Sequence, residues 1–301
     1  LQNKIFYKGI FYTCLASLFW GIPQPLFFNE LKFVPAIEIA FHRGLWSFIF
    51  LLIIIIFLGR IKDFFEIFFS YRKLLVLSFT GILISINWTG FIMAVSFNRV
   101  QDASMGYYLT PLISIGLGYF FLNEKISSLK LLSVIIMSSS IVYLIFTLNT
   151  IPFLAMLIGT TWGIYGLLRK QINVSPEIGL LYESGFITLI AAPYLIYLNY
   201  YDLGFFLNDS FKTSSLLILT GVVTIFPLFF FNLGVKFIPL SFAGVIFYLA
   251  PTFHFFTSVF ILNEPLATSK LISFVIIWIA VTIFIFDIMR EDKKINVNNI
   301  Q

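Results

Sequence analysis

The segment YLTPLISIGLGYFFLNE, residues 108–124, returns 140 residues later as YLAPTFHFFTSVFILNE, residues 248–264. Tyr108 and Pro111 pair with Tyr248 and Pro251, and Leu122-Asn123-Glu124 pairs with Leu262-Asn263-Glu264. Trp20-Gly21 recurs as Trp162-Gly163 at an offset of 142, so the register slips by only two residues over most of each half. Trp-Gly and Asn-Glu are ordinary helix-end dipeptides taken singly. Four pairs in one register argue for an internal duplication, with halves at residues 1–148 and 149–301.

The composition says what kind of chain is duplicated. Of 301 residues, 59% are hydrophobic and 11% charged, against roughly 45–50% and about 25% in a soluble domain. Too little polar surface remains to cover a globule, which excludes a water-soluble enzyme. The apolar residues run in long blocks such as Phe48 to Leu58 and Ile272 to Phe286, not in the alternation of a barrel strand. The fold class is an all-α polytopic membrane protein. About 20 residues at 1.5 Å each cross the roughly 30 Å hydrocarbon layer. Cutting at charged or turn-rich breaks predicts ten spans, near 6–28, 35–58, 74–97, 103–122, 129–147, 151–168, 178–199, 215–235, 241–262 and 270–288. Five spans per half is an odd number, so the second half inserts upside down. An inverted repeat around a central cavity is the architecture of alternating-access carriers, although channels and membrane enzymes can also be duplicated.

Charge placement orients the chain. Fourteen of the 19 Lys and Arg residues fall on the side of the N-terminus, four (Lys32, Arg99, Lys212, Lys270) on the opposite side, and Arg43 inside a helix. By the positive-inside rule both termini are cytoplasmic in a multi-pass protein of the cell (inner) membrane. The net charge of +5 is scattered over loops, so no nucleic-acid partner is expected. One cysteine and two histidines leave no expected metal site or cofactor. The 39 phenylalanines carry little information, because a lipid-facing Phe serves about as well as a Leu.

Finer motifs carry a family resemblance. These are His42-Arg43 followed by Trp46-Ser47, Asn87-Trp88, Gly106-Tyr107 with Pro111-Leu112, Tyr165-Gly166-Leu167-Leu168-Arg169-Lys170, and Glu183. With the repeat, they resemble the EamA type of the drug/metabolite transporter superfamily, in its RarD-like branch, over nearly the whole chain. The resemblance implies a secondary carrier of the inner membrane with ten helices around a central cavity. It implies little about the substrate, because the superfamily moves amino acids, drugs, nucleotide sugars and other metabolites.

Ionisable groups inside spans are costly and are functional candidates by default. Glu38 and His42 share one face of the second span, and Arg43 follows one step round. Arg43 either holds an anionic group or locks the packing by pairing with Glu38 or capping carbonyls. Glu183, in the seventh span, has no Lys or Arg on its own helix within the membrane, which makes it the strongest candidate. It corresponds to His42 at an offset of 141. The rise per residue leaves a vertical gap of about 10 Å between them, which suits a bound zwitterion or cation better than an ion pair. The expectation is that Glu183 takes a cationic group or the coupling proton while His42 and Arg43 take an anionic group. Asn87 either bonds a neighbouring helix or reads a ligand. Trp20, Trp88, Trp162, Tyr107 and Tyr165 are candidate cavity walls, and the matched Tyr108 and Tyr248 are the preferred ones. Pro111 and Pro251 are candidate hinges. A bland buried role is expected for His254, a turn role for Glu124 and Glu264, and an interface role for Arg169-Lys170.

No P-loop is present. The expected function is therefore secondary transport of a small polar or amphipathic metabolite such as an amino acid, an amino-acid derivative or a drug-like compound. Proton coupling, exchange and plain facilitation by a channel-like permease are all open, and a monomer suffices. A membrane enzyme would want a catalytic cluster, and a channel a ring of like charges. Neither pattern is in the sequence.

Overall fold

The computed structural model describes the backbone of residues 2–96, 100–124, 126–148, 153–263 and 268–298. These residues form α1 (Gln2–Gly21), α2 (Pro23–Asn29), α3 (Ala36–Phe57), α4 (Ile61–Phe68), α5 (Tyr71–Ser96), α6 (Val100–Leu122), α7 (Ser128–Leu148), α8 (Phe153–Gln171), α9 (Pro176–Tyr200), α10 (Phe211–Gly234), α11 (Leu240–Phe247), α12 (Leu249–Phe256) and α13 (Thr268–Asn298). No strand occurs among the described residues. Among the described residues, seven stretches are long and apolar enough to cross a bilayer: Lys4–Asn29, Ala36–Phe57, Tyr71–Met93, Ser128–Thr147, Pro176–Tyr200, Phe211–Gly234 and Leu240–Ile261. Gly106–Leu122 and Leu271–Asp287 are shorter apolar helices. The sixth expected span coincides with α8, which packs against α5 and α6.

Two expected spans are broken. The first divides at Ile22, where Pro23 and Pro25 follow and proline removes backbone donors. The carbonyls left at the break find partners on the far half of the chain. His254 Nε2 lies 2.6 Å from Trp20 O, and Thr257 Oγ1 donates to Gly21 O at 3.0 Å. His254 is thus a bracket for broken backbone. The ninth span divides at Tyr248, three residues before Pro251, and ends in a wide turn over Thr257–Ile261. Its counterpart α6 runs on without a break through Pro111, whose side chain lies outside the described residues. The hinge candidates therefore differ: one sits at a broken helix and the other in a continuous one. Pro193 and Pro227 also lie inside helices, α9 and α10. The sequence reading did not anticipate α4. It carries Phe64, Phe65 and Phe68 along with Lys62, Asp63 and Glu66, a composition that suits the membrane surface.

The helix pairs follow the repeat. α1 packs on α10 as α8 packs on α5; α3 packs on α10 as α9 packs on α5; α1 meets α12 as α8 meets α6. Three pairs join matched helices directly: α3 with α9, α7 with α13, and α6 with α11. Glycine makes the matched crossings close. A Cβ on Gly21 would overlap Phe253 of α12, and one on Gly163 would overlap Ile113 of α6. The Trp-Gly repeat is thus a repeated helix contact. Asn123 and Asn263 both turn left-handed, at φ 53° and 54°, a conformation Asn tolerates better than most side chains. Glu124 follows the first and accepts the backbone N–H groups of Leu240 (2.6 Å) and Ser241 (3.0 Å), capping α11. Glu264 lies outside the described residues.

Candidate functional site

Arg43 lies on α3 and is 2% exposed. Its Nε donates to Thr224 Oγ1 of α10 at 3.0 Å. The guanidinium carbon is 4.5 Å from the Trp88 ring centroid and 4.9 Å from that of Phe28, a placement that gives the cation electrostatic contact with both rings. No carboxylate lies within ion-pair distance of Arg43 among the described residues. The pairing with Glu38 does not form. Glu38 turns to the α9–α10 loop, where Oε1 accepts the backbone N–H of Phe205 (2.7 Å) and Phe206 (3.3 Å).

Arg43 opens onto a small cavity of about 20 Å³, which it lines with Trp20, Gln24, Asn87, Trp88, Phe91, Tyr107, Trp162 and Phe247. Both halves of the chain contribute. Trp20 and Trp162, the repeat-matched pair, meet edge to face with centroids 5.1 Å apart, a favoured aromatic geometry. Phe247 stacks on Trp162 at 5.7 Å. Trp162 Nε1 is buried without a hydrogen-bond partner among the described residues. Asn87 turns its amide N–H groups to α8, donating to Ile158 O at 2.8 Å and Thr161 Oγ1 at 3.2 Å. It therefore performs interhelical bonding while also forming part of the wall. Three expected wall residues are elsewhere, Tyr165 in contact with Glu183 and Asn232. Tyr108 and Tyr248 pack on one another at 6.0 Å, and Tyr248 OH donates to Tyr108 O at 2.9 Å. Neither lines this cavity.

Glu183 lies next door, 2% exposed on α9. Trp88 and Thr224 separate the two places, each lining or bonding on both sides. The carboxylate is fully engaged. Thr80 Oγ1 of α5 donates to Oε1 at 2.7 Å, and Tyr165 OH of α8 donates to Oε2 at 3.2 Å. Arg169 Nε of α8 stands 3.6 Å from Oε1. Asn232 Nδ2 of α10 donates to Tyr165 OH at 2.7 Å, and Arg169 Nε donates to Asn232 Oδ1 at 3.4 Å. Arg169 Nη2 donates to Pro176 O at 3.4 Å, while Nη1 has no partner.

This cluster corrects two expectations. Arg169 is not an interface residue, since it is 1% exposed, and Glu183 is not free of a basic partner. The neutralising charge comes from a neighbouring helix, a possibility that a search along the seventh span leaves out. One signal was present. A Cβ on Gly179 would overlap the Arg169 guanidinium, and Gly179 stands one helical turn before Glu183 on the same face. Lys170 does serve the helix ends, donating to Val235 O (3.2 Å) and Ile238 O (2.5 Å).

His42 joins neither group. Its Nδ1 accepts from Trp46 Nε1 at 3.1 Å, its ring packs on Phe206 at 4.9 Å, and Nε2 is unpartnered. Neither a hydrogen bond nor an ion pair links His42 to Glu183 among the described residues. No group of three or more His, Cys, Asp or Glu side chains suitable for a metal ion occurs among those residues either.

A polytopic helical bundle, with a buried cation and an aromatic cage at the meeting of two like halves, has the form of a membrane transporter. The EamA-like transporter family model matches the chain twice, over residues 7–146 and 149–286. The chain belongs to that family, and so to the drug/metabolite transporter superfamily. It is 37% identical to the uncharacterized transporter YojE of Bacillus subtilis, over 95% of this chain and 96% of that one. It is 30% identical to Protein RarD of Escherichia coli, over 95% and 97%. A solved crystal structure at 14% identity superposes with a TM-score of 0.66, covering 91% of this chain and 96% of the other, and shares the fold.

Proposed function

We propose that the protein is a secondary active transporter of the inner membrane that moves a small polar or amphipathic metabolite by alternating access. In this reading the chain crosses the membrane ten times, in two inverted halves of residues 1–148 and 149–301, with both termini in the cytoplasm. The observation that carries it is Arg43: a buried cation without a carboxylate partner among the described residues, opening onto a cavity walled by both halves. Such a charge is costly in a membrane and gains most from a ligand that brings the missing negative group. The double match of the family model supports the division into halves. Because one chain supplies both sides of the cavity, a monomer suffices.

Glu183 takes the coupling role in this scheme, in place of substrate contact. Its ligands come from α5 in the first half and from α8 in the second, with Asn232 of α10 behind them. A proton arriving on Glu183 would remove the charge that holds Arg169, and so alter the join between the halves. Purified protein in proteoliposomes tests both assignments. Saturable counterflow supports a carrier, whereas steady conductance indicates a channel and chemical conversion an enzyme. Glu183→Gln is expected to abolish the pH dependence of flux; an unchanged rate and pH profile would remove Glu183 from the coupling step.

A further inference from the structure

The cavity is one-sided in its chemistry. It holds a guanidinium at Arg43, an indole N–H at Trp162 with no partner, and the neutral side chains of Gln24, Asn87 and Tyr107. No Asp or Glu among the described residues lines it. The nearest buried acid described, Glu183, belongs to the adjoining pocket and is held by Thr80, Tyr165 and Arg169. Glu38 is held by the backbone of Phe205 and Phe206. We propose that this cavity binds an organic anion, a carboxylate on a flat apolar body, and discriminates against compounds that carry an ammonium group. The proposal rests on the transporter reading only for the biological use of the site; the binding claim stands by itself.

The argument is electrostatic. A carboxylate satisfies Arg43 in pairs of hydrogen bonds and gives the Trp162 N–H the acceptor it lacks. An ammonium group in the same space would be stripped of water with no carboxylate to meet it, and would also face the like charge of Arg43. The aromatic walls alone would suit a cation equally well. Arg43 decides against it, because its guanidinium already occupies the Trp88 face. An amino acid brings both groups and so loses on its ammonium what it gains on its carboxylate. The volume of about 20 Å³ holds about one water molecule, so a body of one ring enters only when the walls formed by Trp20, Trp162 and Phe247 part.

The test is a binding titration on purified protein in detergent, read by thermal shift and tryptophan fluorescence. The three probes share one ring: 3-phenylpropionate, phenylalanine and phenethylamine. Saturable binding of 3-phenylpropionate is expected, weaker by about tenfold or more for phenylalanine and lost for phenethylamine. Arg43→Gln should weaken 3-phenylpropionate by about tenfold or more, and Arg43→Lys by less, because it keeps the charge without the fork. Trp162→Phe keeps the wall and removes only the N–H, so it should weaken the same probe at an unchanged melting temperature. That variant decides the matter if Arg43→Gln does not fold. Equal or tighter binding of phenethylamine or phenylalanine overturns the proposal. So does unchanged binding in Trp162→Phe, or the absence of saturable binding by the carboxylate. Carboxylate binding without flux in proteoliposomes would remove the transporter reading and leave this one standing.

Discussion

Replacing Glu183 by Gln and Arg169 by Met, singly and together, measures what the buried pair contributes. At 3.6 Å and an effective dielectric of about 20, two unit charges attract by about 4–5 kcal/mol. Desolvation opposes that attraction, and both side chains are almost wholly enclosed, at 1% and 2% exposure. Removing one partner strands the other charge, an effect worth about 3–5 kcal/mol in buried pairs. Each single variant should therefore lose about that much, read by circular dichroism during unfolding in mixed micelles of rising SDS content. The double variant leaves no stranded charge. Its loss should fall short of the sum of the singles by at least about 2 kcal/mol. The amide oxygen of Glu183→Gln accepts from only one of the Thr80 and Tyr165 hydroxyls. That loss is common to the single and double variants and cancels in the shortfall, which reports the charges. If the two singles add to the double within about 0.5 kcal/mol, the limit for independent sites, then Arg169 and Glu183 are not coupled. The account of the cluster would then fail.

Gly179→Ala should destabilise the wild-type background by about 1–3 kcal/mol through overpacking against the Arg169 guanidinium. In an Arg169→Met background the same change should become neutral or stabilising by up to about 1 kcal/mol, because alanine favours helix; a background-independent effect would refute the contact. Asn123→Val and Asn263→Val should each lose about 1–2 kcal/mol from the left-handed turn, whereas Asn→Gly at either place should be tolerated, as thermal melting can check. Glu124→Ala should lose about 1–3 kcal/mol by leaving the Leu240 and Ser241 N–H groups without acceptors, and Glu124→Gln less. A fluorescent-protein fusion at Gln301, of a kind that matures only in the cytoplasm, should glow; a dark fusion would reverse the orientation.

The repeat was legible because each of its motifs has a backbone cause. Asn123 and Asn263 stop helices in the left-handed region, and Gly21 and Gly163 admit a crossing helix. Those demands leave the same residue at the same place in both halves. The break in the first span was harder to read, although Pro23 and Pro25 stood in plain view. Proline inside a span is tolerated wherever a neighbour re-satisfies the freed carbonyl. Here the neighbours are His254 and Thr257, more than 230 residues away. Nothing local shows whether such partners arrive. The phenylalanines behave as their composition suggested, with Phe57, Phe120, Phe146 and Phe211 on the outside of the bundle.

For the charged residues, the pairing differs from what their positions along the chain suggest, and the reason is geometric. Glu183 ranks first along the chain because no basic residue shares its membrane segment, and Arg43 ranks lower because Glu38 and His42 stand within a turn of it. Neutralisation inside a helical bundle runs between helices as readily as along one. Arg169, at the cytoplasmic end of α8, lies back over Gly179 and reaches Glu183. Glu38 is close to Arg43 in sequence but lies in the first turn of the helix, where the amides of Phe205 and Phe206 hold it. The group that looked unpaired is therefore paired, and the group that looked paired is the one left facing the cavity. A long flexible arginine can be neutralised across a glycine gap, but one clamped between Thr224, Phe28 and Trp88 cannot leave its place. No carboxylate among the described residues reaches it there.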